Sequence, residues 1–411
     1  MINIEVFPAS YGESMLVSLG EDKKINILID SGFASTYNNH IKGKMIELNK
    51  DNQVINLFVL THFDADHIRG AISFLKENST YSEPNIIKIE EIWMNMLGHV
   101  DFGDKKLKLS EADKLKLKKI LRKKYPKEVY NRCISDISST ECLTLSKLIS
   151  DGGYKLNSSF NNGVIAADKE DNTVNFDMGI KIIILSPSID KIEELNKFWS
   201  QELFKIGLKP GVYNNEEYSE AFEKLLVNIM PTINRGILKN CANEKDLIEK
   251  LIKDDVFVED TDIVNGSSIA FILEYEEKRI LFLGDSHPGV IEKELKKMGF
   301  GKDQKIKIDL MKVSHHGSKG NITNELLEMI DCDKFLICTN GYQYLHPDQE
   351  AIARIIISNK EKRKLIFMNY ETLSIKKFLD KKLMEKYNYL IKCTNKINLD
   401  NRKCKSTYIK I

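Results

Sequence analysis

The chain contains, at residues 61–70, the stretch Thr61-His62-Phe63-Asp64-Ala65-Asp66-His67-Ile68-Arg69-Gly70. Two histidines and two aspartates fall within six of these positions. The apolar run at residues 54–60 predicts a buried strand, so the four side chains follow its carboxyl end, where the sites of α/β proteins gather. Imidazole and carboxylate suit divalent metal ions, which can lower the pKa of a bound water enough to give hydroxide near neutral pH. The stretch therefore predicts a hydrolytic metal site in preference to a capped turn of ordinary surface residues.

Length and composition predict a soluble globular protein. The 411 residues are 42% hydrophobic, and 61 basic against 60 acidic residues leave a net charge of +1. The net charge is therefore too small to attract nucleic acid or membrane over the whole surface, and any such partner must bind a local charged patch. The seven cysteines are scattered without a CxxC pair, which favours a reducing compartment. We expect a cytoplasmic protein without a membrane partner, because no apolar run reaches the ~20 residues of a membrane span.

Two blocks of strand-like sequence predict two sheets within a single domain over residues 1–411. The first block runs to about residue 96, and the second begins at residue 181. Helical insertions are predicted at about 97–175 and 189–255. With no repeat, low-complexity tract or Pro/Gly linker, insertions within one domain fit better than separate domains.

Further polar side chains follow other predicted strands. Together with the ligand stretch, they place six of the eight histidines at or just beyond strand ends. Each of these side chains alone is weak evidence for a site, because a lone Asp or His after a strand is usually a turn residue. As a set they predict one site assembled from distant loops, and its members outside residues 61–70 are Asp30, Asp285, His287, His315, His316 and His346.

The order of these residues resembles the metallo-β-lactamase superfamily, whose first metal motif is His-x-His-x-Asp-His. The chain is more similar still to the metallo-β-lactamase-like nuclease domain of ComEC-type DNA-uptake proteins. The shared patterns are Thr-His-x-Asp-x-Asp-His-x-x-Gly, a strand ending in Gly-Asp, Lys-x-x-His-His-Gly-Ser and a later Asn with His-Pro. Residues 7–14 take the place of that family's Val-Gly-Gln-Gly-Asp-Ser, and the resemblance ends at about residue 375. It implies an α/β fold, a four-layer αββα sandwich with two helical insertions and the site along one edge of the facing sheets.

The resemblance also implies metal ligands. His62 and Asp64 would bind a first ion, Asp66 and His67 a second, and Asp285 would bridge the two. Asp64 stands where the motif has its second His, which makes the first site richer in oxygen.

The remaining roles are less fixed. His315 or His316 would complete the second site, and we assign His315 to the metal and His316 to the reaction together with Asp66. Asp30 would orient the ligand loop through hydrogen bonds. His346 would hold a phosphate oxygen or protonate the leaving group.

The expected cofactor is one or two divalent ions. The motif's usual third His has no counterpart before the second block, where Asn265 is the only stand-in. A site with more oxygen ligands favours manganese or magnesium over zinc. We expect manganese or zinc, with magnesium as a further possibility.

The leading functional hypothesis is a phosphodiesterase or nuclease that acts on DNA without sequence specificity. Hydroxide generated at the metal would attack phosphorus in line. A basic helix predicted at residues 110–127 offers a surface for the DNA backbone, although such a face is more often simply solvated. One alternative is a hydrolase of a small phosphodiester or another ester. Another is a catalytically weak metal-binding sensor or subunit, for example of a defence system, with protein partners on the helical insertions.

Overall fold

The computed structural model describes residues 1–21, 23–95, 139–205, 247–359, 361–397 and 400–411. Its strands in chain order are β1 (Ile2–Val6), β2 (Met15–Leu19), β3 (Ile25–Ile29), β4 (Leu57–Val59), β5 (Ile92–Trp93), β6 (Thr173–Asn175), β7 (Lys181–Ser186), β8 (Ala270–Tyr275), β9 (Lys278–Phe282), β10 (Ile306–Lys307), β11 (Leu310–Lys312), β12 (Ile330–Asp331), β13 (Lys334–Ile337), β14 (Lys364–Tyr370), β15 (Tyr389–Asn395) and β16 (Thr407–Lys410).

The helices lie between these strands. In chain order they are α1 (Ala34–Thr36), continued by a π-helical turn (Tyr37–Ile41), α2 (Lys42–Lys50), α3 (Ala65–Asn78), α4 (Ser139–Asp151), α5 (Ile189–Lys205), α6 (Leu247–Lys253), α7 (Ile263–Gly266), α8 (Pro288–Lys297), α9 (Asn324–Met329), α10 (Gln349–Ile357) and α11 (Lys381–Lys386). Helix α3 begins inside the ligand stretch, at Ala65.

The strands form two large sheets. The first has the order β16-β1-β2-β3-β4-β5, and the second has the order β15-β14-β13-β11-β9-β8-β7-β6. In the first, β3, β4 and β5 are parallel neighbours; in the second, β9, β11 and β13 are. Parallel neighbours bring their carboxyl ends to one edge of a sheet, which is where side chains from distant loops can meet.

Three apolar cores stack these elements into layers. Between the sheets, the first contributes side chains such as Val17 and Ile27, and the second contributes side chains such as Phe271 and Leu310. The other face of the first sheet packs on α3 and the helical segment at residues 34–50. The other face of the second sheet packs on helices that include α8 and α10. The predicted four-layer αββα sandwich is thus confirmed.

Two features differ from the sequence expectation. The apolar run at residues 85–94 predicts one continuous strand, but it pairs only at an isolated bridge of Ile89 with Ile55 and at β5. At its start the backbone N–H groups of Ile86 and Ile87 donate instead to the side-chain oxygen of Asn78. The chain beyond residue 375, outside the family resemblance, supplies an edge strand to each sheet: β15 pairs with β14, and β16 pairs with β1.

The predicted insertions are only partly described. The basic helix at 110–127, most of the first insertion and residues 206–246 of the second lie outside the described residues. Where the first insertion is described, α4 packs against α3. Among the helices of the described ranges, none has both the length and the apolar character to cross a membrane.

Candidate metal centre

The ligand loop joins β4 to α3 and carries the first four predicted ligands. Asp64 directly precedes the helix, so Asp66 and His67 lie in its first turn. The His67 N–H donates to the Asp64 carbonyl at 2.9 Å. The side chains of His62 and His67 are fully buried, whereas Asp64 keeps 23% exposure. The loop therefore turns two imidazoles inward and leaves one carboxylate at the surface.

The second sheet supplies three further side chains from two neighbouring strand ends. Asp285 follows β9 after Gly284, whose φ is +51°, and a Cβ there would lie 2.3 Å from the Ser268 hydroxyl oxygen. Only glycine suits that turn. From the end of β11, His315 and His316 form a short turn in which both have positive φ. This turn directs both imidazoles toward Asp285.

Asp285 is the point at which the two halves meet. Its Oδ2 lies 3.7 Å from Nε2 of His67 and 3.8 Å from Nε2 of each of three other imidazoles, those of His62, His315 and His316. Asp66 Oδ2 lies 3.3 Å from Nε2 of His316 and 3.9 Å from Nε2 of His67. Ligands held about 2.0–2.2 Å from a shared ion are separated by roughly 3 to 4 Å, so these spacings fit metal binding.

Hydrogen bonds fix the imidazoles of the ligand loop. His67 Nδ1 lies 2.8 Å from Asp30 Oδ2, and His62 Nδ1 lies 3.0 Å from the Thr61 hydroxyl. The Thr61 hydroxyl in turn donates to Asp30 Oδ2 at 2.8 Å, so it accepts from His62. Both rings therefore carry a proton on Nδ1 and turn Nε2 inward.

The imidazoles of the second half are held in the same way. His316 Nδ1 donates to the Cys338 carbonyl at 2.7 Å. His315 Nδ1 lies 3.2 Å from Asp260 Oδ2 and 3.0 Å from Asn321 Oδ1. All four rings thus use Nδ1 for support and keep Nε2 for the centre.

The centre contains buried polar atoms that the described residues leave unsatisfied. Nε2 of His62, Nε2 of His67 and Oδ1 of Asp285 are buried and have no hydrogen-bond partner there. Two groups could each hold an ion, His62–His67–Asp285 and Asp66–His67–His316. Buried polar atoms are costly without a partner, and a divalent cation would satisfy all three. The donor set therefore fits the metal that the sequence predicts.

Charge in the centre is balanced between carboxylates and imidazoles. Burial acts to lower the pKa of His67, but the carboxylates of Asp30, Asp285 and Asp66 outweigh it and hold that pKa well above its usual value. Burial acts to raise the pKa of Asp285, yet the imidazoles, His315 foremost, hold it well below its usual range. The carboxylates of Asp66 and Asp285 stay ionised and favour positive charge in the centre, so a metal ion must displace protons from the rings.

The structure distinguishes the two adjacent histidines. His316 shares a group with Asp66 and His67, and its side chain is 3% exposed. His315 is 23% exposed and is supported by Asp260. This geometry favours His316 as the metal ligand and His315 as the substrate-facing residue, the reverse of the assignment made from sequence; both roles stay predictions.

Other predicted residues take different places. Asn265 donates to Asp260 at 2.9 Å, and its Nδ2 lies 3.4 Å from His315 Nδ1, so it contacts the support of His315. The His346 ring meets that of His315 edge-on, with the centroids 5.4 Å apart. Burial, with His315 and His316 adding to it, holds the pKa of His346 well below the usual value. His287 is buried beside Gly266.

Sequence reasoning missed an ion pair beneath the centre. Lys312 and Glu13 are both buried and paired with each other. Lys312 Nζ donates to the Gly284 carbonyl at 3.1 Å, and the Glu13 N–H donates to the Asp66 carbonyl at 3.2 Å. The pair thus joins the backbone next to Asp285 to the backbone of the ligand loop. A charged residue inside the apolar strand β11 was the available signal.

Two more supporting residues were also missed. Asp260, which supports His315, lies between the second predicted insertion and β8, where nothing in the spacing marks it. Ser268 accepts from the Asp285 N–H at 3.0 Å and lies 3.4 Å from His62 Nδ1. Their roles depend on contacts between segments that are distant along the chain.

Comparison with protein families agrees with this architecture. Residues 10–127 match the family model of the metallo-beta-lactamase superfamily, and the match includes the ligand loop. Among solved structures, a mutant of the CmlA beta-hydroxylase aligns over 100% of this chain with 7% sequence identity and a TM-score of 0.36. This chain spans 54% of that protein's length. No curated protein matches the sequence.

Proposed function

We propose that this protein is a metal-dependent phosphodiesterase that cleaves DNA without sequence specificity. The observation that carries the proposal is the convergence of four imidazole Nε2 atoms on Asp285, with Asp66 beside them. A divalent ion at such a centre would supply a nucleophilic water near neutral pH and neutralise charge on phosphoryl oxygens. Manganese or zinc, with magnesium as a further possibility, suits the mixed nitrogen and oxygen donors.

The residues that would hold the metal fall on two sides of Asp285. Asp66, His67 and His316 would form one side, with Asp66 Oδ2 3.3 Å from His316 Nε2. His62 and Asp64 form the other side, with Asp64 Oδ2 3.6 Å from His62 Nε2. The second side has fewer protein ligands, which leaves room for water and for a phosphoryl oxygen.

His315 is placed to act on the substrate. Its imidazole is the most exposed of the four, and its Nδ1 is held by Asp260, so its Nε2 points toward the space beside Asp285. The carboxylates of Asp285 and Asp260 outweigh burial and raise the pKa of His315 to about 10 before any metal is bound. A protonated Nε2 can donate a hydrogen bond to a phosphoryl oxygen or a proton to the leaving oxygen.

The choice of DNA rests on the resemblance to the ComEC-type nuclease domain in the order and type of the ligand residues. The ligand-bearing strand ends all reach one edge of the facing sheets, which suits an extended substrate. Hydrolysis of a small phosphodiester or another ester is the alternative outcome.

The decisive experiment compares substrates and metals. Protein stripped of metal is supplied separately with manganese, magnesium and zinc, and turnover is measured on single-stranded DNA, linear duplex DNA and bis(p-nitrophenyl) phosphate. We expect metal-dependent DNA cleavage that Asp285→Asn lowers on the order of a thousandfold, because the shared carboxylate supplies several kcal/mol of charge stabilisation. Asp177→Asn is the matched control, since Asp177 is 78% exposed. Cleavage of only the small diester would overturn DNA as the substrate and favour a hydrolase of small phosphodiesters. Metal binding without turnover on any substrate would favour a metal-binding sensor.

A further inference from the structure

A continuous row of aromatic rings leads away from the metal centre. From the His346 ring, the next centroid is that of Tyr344 at 6.1 Å, followed by Tyr11 at 6.0 Å and Phe33 at 4.7 Å. We call Tyr11, Phe33 and Tyr344 the aromatic ledge. All three side chains are half-buried, so their rings reach the surface. A row of surface rings that starts beside a metal centre can contact a bound substrate.

The ledge is tied to the same backbone as the metal ligands. A Cβ added to Gly12, next to Tyr11, would lie 2.2 Å from the Asp66 carbonyl oxygen, so this loop is in direct contact with the ligand loop. Next to Phe33, the Gly32 carbonyl accepts from the Gly70 N–H at 2.8 Å. The ledge is therefore fixed relative to Asp66.

Basic side chains flank the ledge. The Arg69 guanidinium carbon lies 5.9 Å from the Phe33 ring centroid. The Tyr370 hydroxyl also joins the Ser10 N–H to Asn401, and the exposed Lys403 follows two residues later, after Arg402, which pairs with Asp400 at 2.9 Å. Rings with flanking cations match a ligand that has both flat apolar groups and negative charges.

We propose that the aromatic ledge stacks unpaired bases of single-stranded nucleic acid whose phosphate lies at the metal centre. The inference rests on the proposed phosphodiesterase function and adds the strandedness of its substrate. Aromatic rings that stack bases beside a basic surface are the means by which proteins bind single strands without sequence preference. In a duplex the base faces are already stacked on one another, so the ledge favours a single strand or a frayed end. The exposed Tyr342, in the same loop as Tyr344, extends this surface.

The test measures binding separately from cleavage. A fluorescently labelled single-stranded oligonucleotide is titrated with protein in EDTA, and anisotropy gives its affinity. Tyr344→Leu is expected to weaken binding roughly 5- to 150-fold, because stacking on an aromatic side chain contributes about 1–3 kcal/mol per base. Tyr344→Phe keeps the ring and should bind far more tightly than the leucine variant. The control is Tyr408→Leu, which removes a tyrosine that is 73% exposed on the edge strand β16.

Oligonucleotides with abasic sites complete the test. If the ledge stacks bases, removing the bases weakens binding to the unaltered protein and has little further effect on Tyr344→Leu. Equal affinity for normal and abasic strands would overturn the stacking proposal, and so would an equal loss of affinity with Tyr408→Leu. Either result would do so even if the protein still cleaves DNA in an Asp285-dependent way. Base-dependent binding without cleavage would support the ledge and overturn the nuclease proposal.

Discussion

The ligands from the two sheets are held in different ways. Those of the first sheet lie on one loop and one helical turn, where the Asp30 carboxylate accepts hydrogen bonds from both the Thr61 backbone and its hydroxyl, as well as from His67. Those of the second sheet come from two strand ends and rely on separate partners, such as Asp260 and the Cys338 carbonyl. The first half is therefore organised locally, and the second half is organised by tertiary packing.

This difference makes the connection between the halves the most sensitive part of the centre. Glu13 belongs to the first sheet's side and Lys312 to the second, and both are almost completely buried. A buried pair contributes little net stability, but the removal of one partner leaves an uncompensated buried charge. The pair thus couples the alignment of the two halves to folding.

The largest expected effect comes from breaking that pair. Lys312→Met or Glu13→Gln should lower the free energy of unfolding by about 3–5 kcal/mol, measured by urea denaturation. The double variant Glu13→Leu/Lys312→Met leaves no unpaired charge and should recover much of the loss. Lys23→Met, which breaks a pair that is 70% and 78% exposed, should change stability by less than about 1 kcal/mol. Equal losses in the single and double variants would show that packing, rather than charge, makes the connection.

The supporting carboxylates test whether the two halves have separate tasks. Asp30→Asn disturbs His67, which belongs to both ligand groups, and should weaken manganese binding about 10- to 100-fold. Asp260→Asn disturbs the more exposed His315 and should lower turnover while leaving manganese affinity closer to that of the unaltered protein. Isothermal titration with manganese and steady-state kinetics separate the two effects, with Asp177→Asn as control. An equal loss of affinity in both variants would assign His315 to the metal.

The same division explains what the sequence could reveal. Asp64, Asp66 and His67 could be predicted as ligands because their spacing within one loop is read directly from the chain. The sandwich could be predicted from the two strand-like blocks and the family resemblance. The support of the second half could not, because Asp260 and Ser268 reach their partners only after β8, β9 and β11 are aligned. The Asn78 side chain likewise accepts hydrogen bonds from the backbone N–H groups of Ile86 and Ile87, at the start of the run predicted as a strand. No local sequence pattern predicts these bonds.

The smallest effects should come from the two hydroxyls that support His62 and Asp285. Thr61→Val should weaken metal binding by about fivefold, since a typical hydrogen bond contributes about 1 kcal/mol. Asp30 keeps its hydrogen bond to His67 in that variant, so the hydrogen-bond network of the ligand loop loses only part of its contacts. Ser268→Ala leaves the buried Asp285 N–H without its acceptor and should cost more. Manganese titration of both variants compares them directly. If Thr61→Val lowers manganese affinity more than Ser268→Ala does, the ligand loop depends more strongly on a single hydrogen bond than the turn after β9 does.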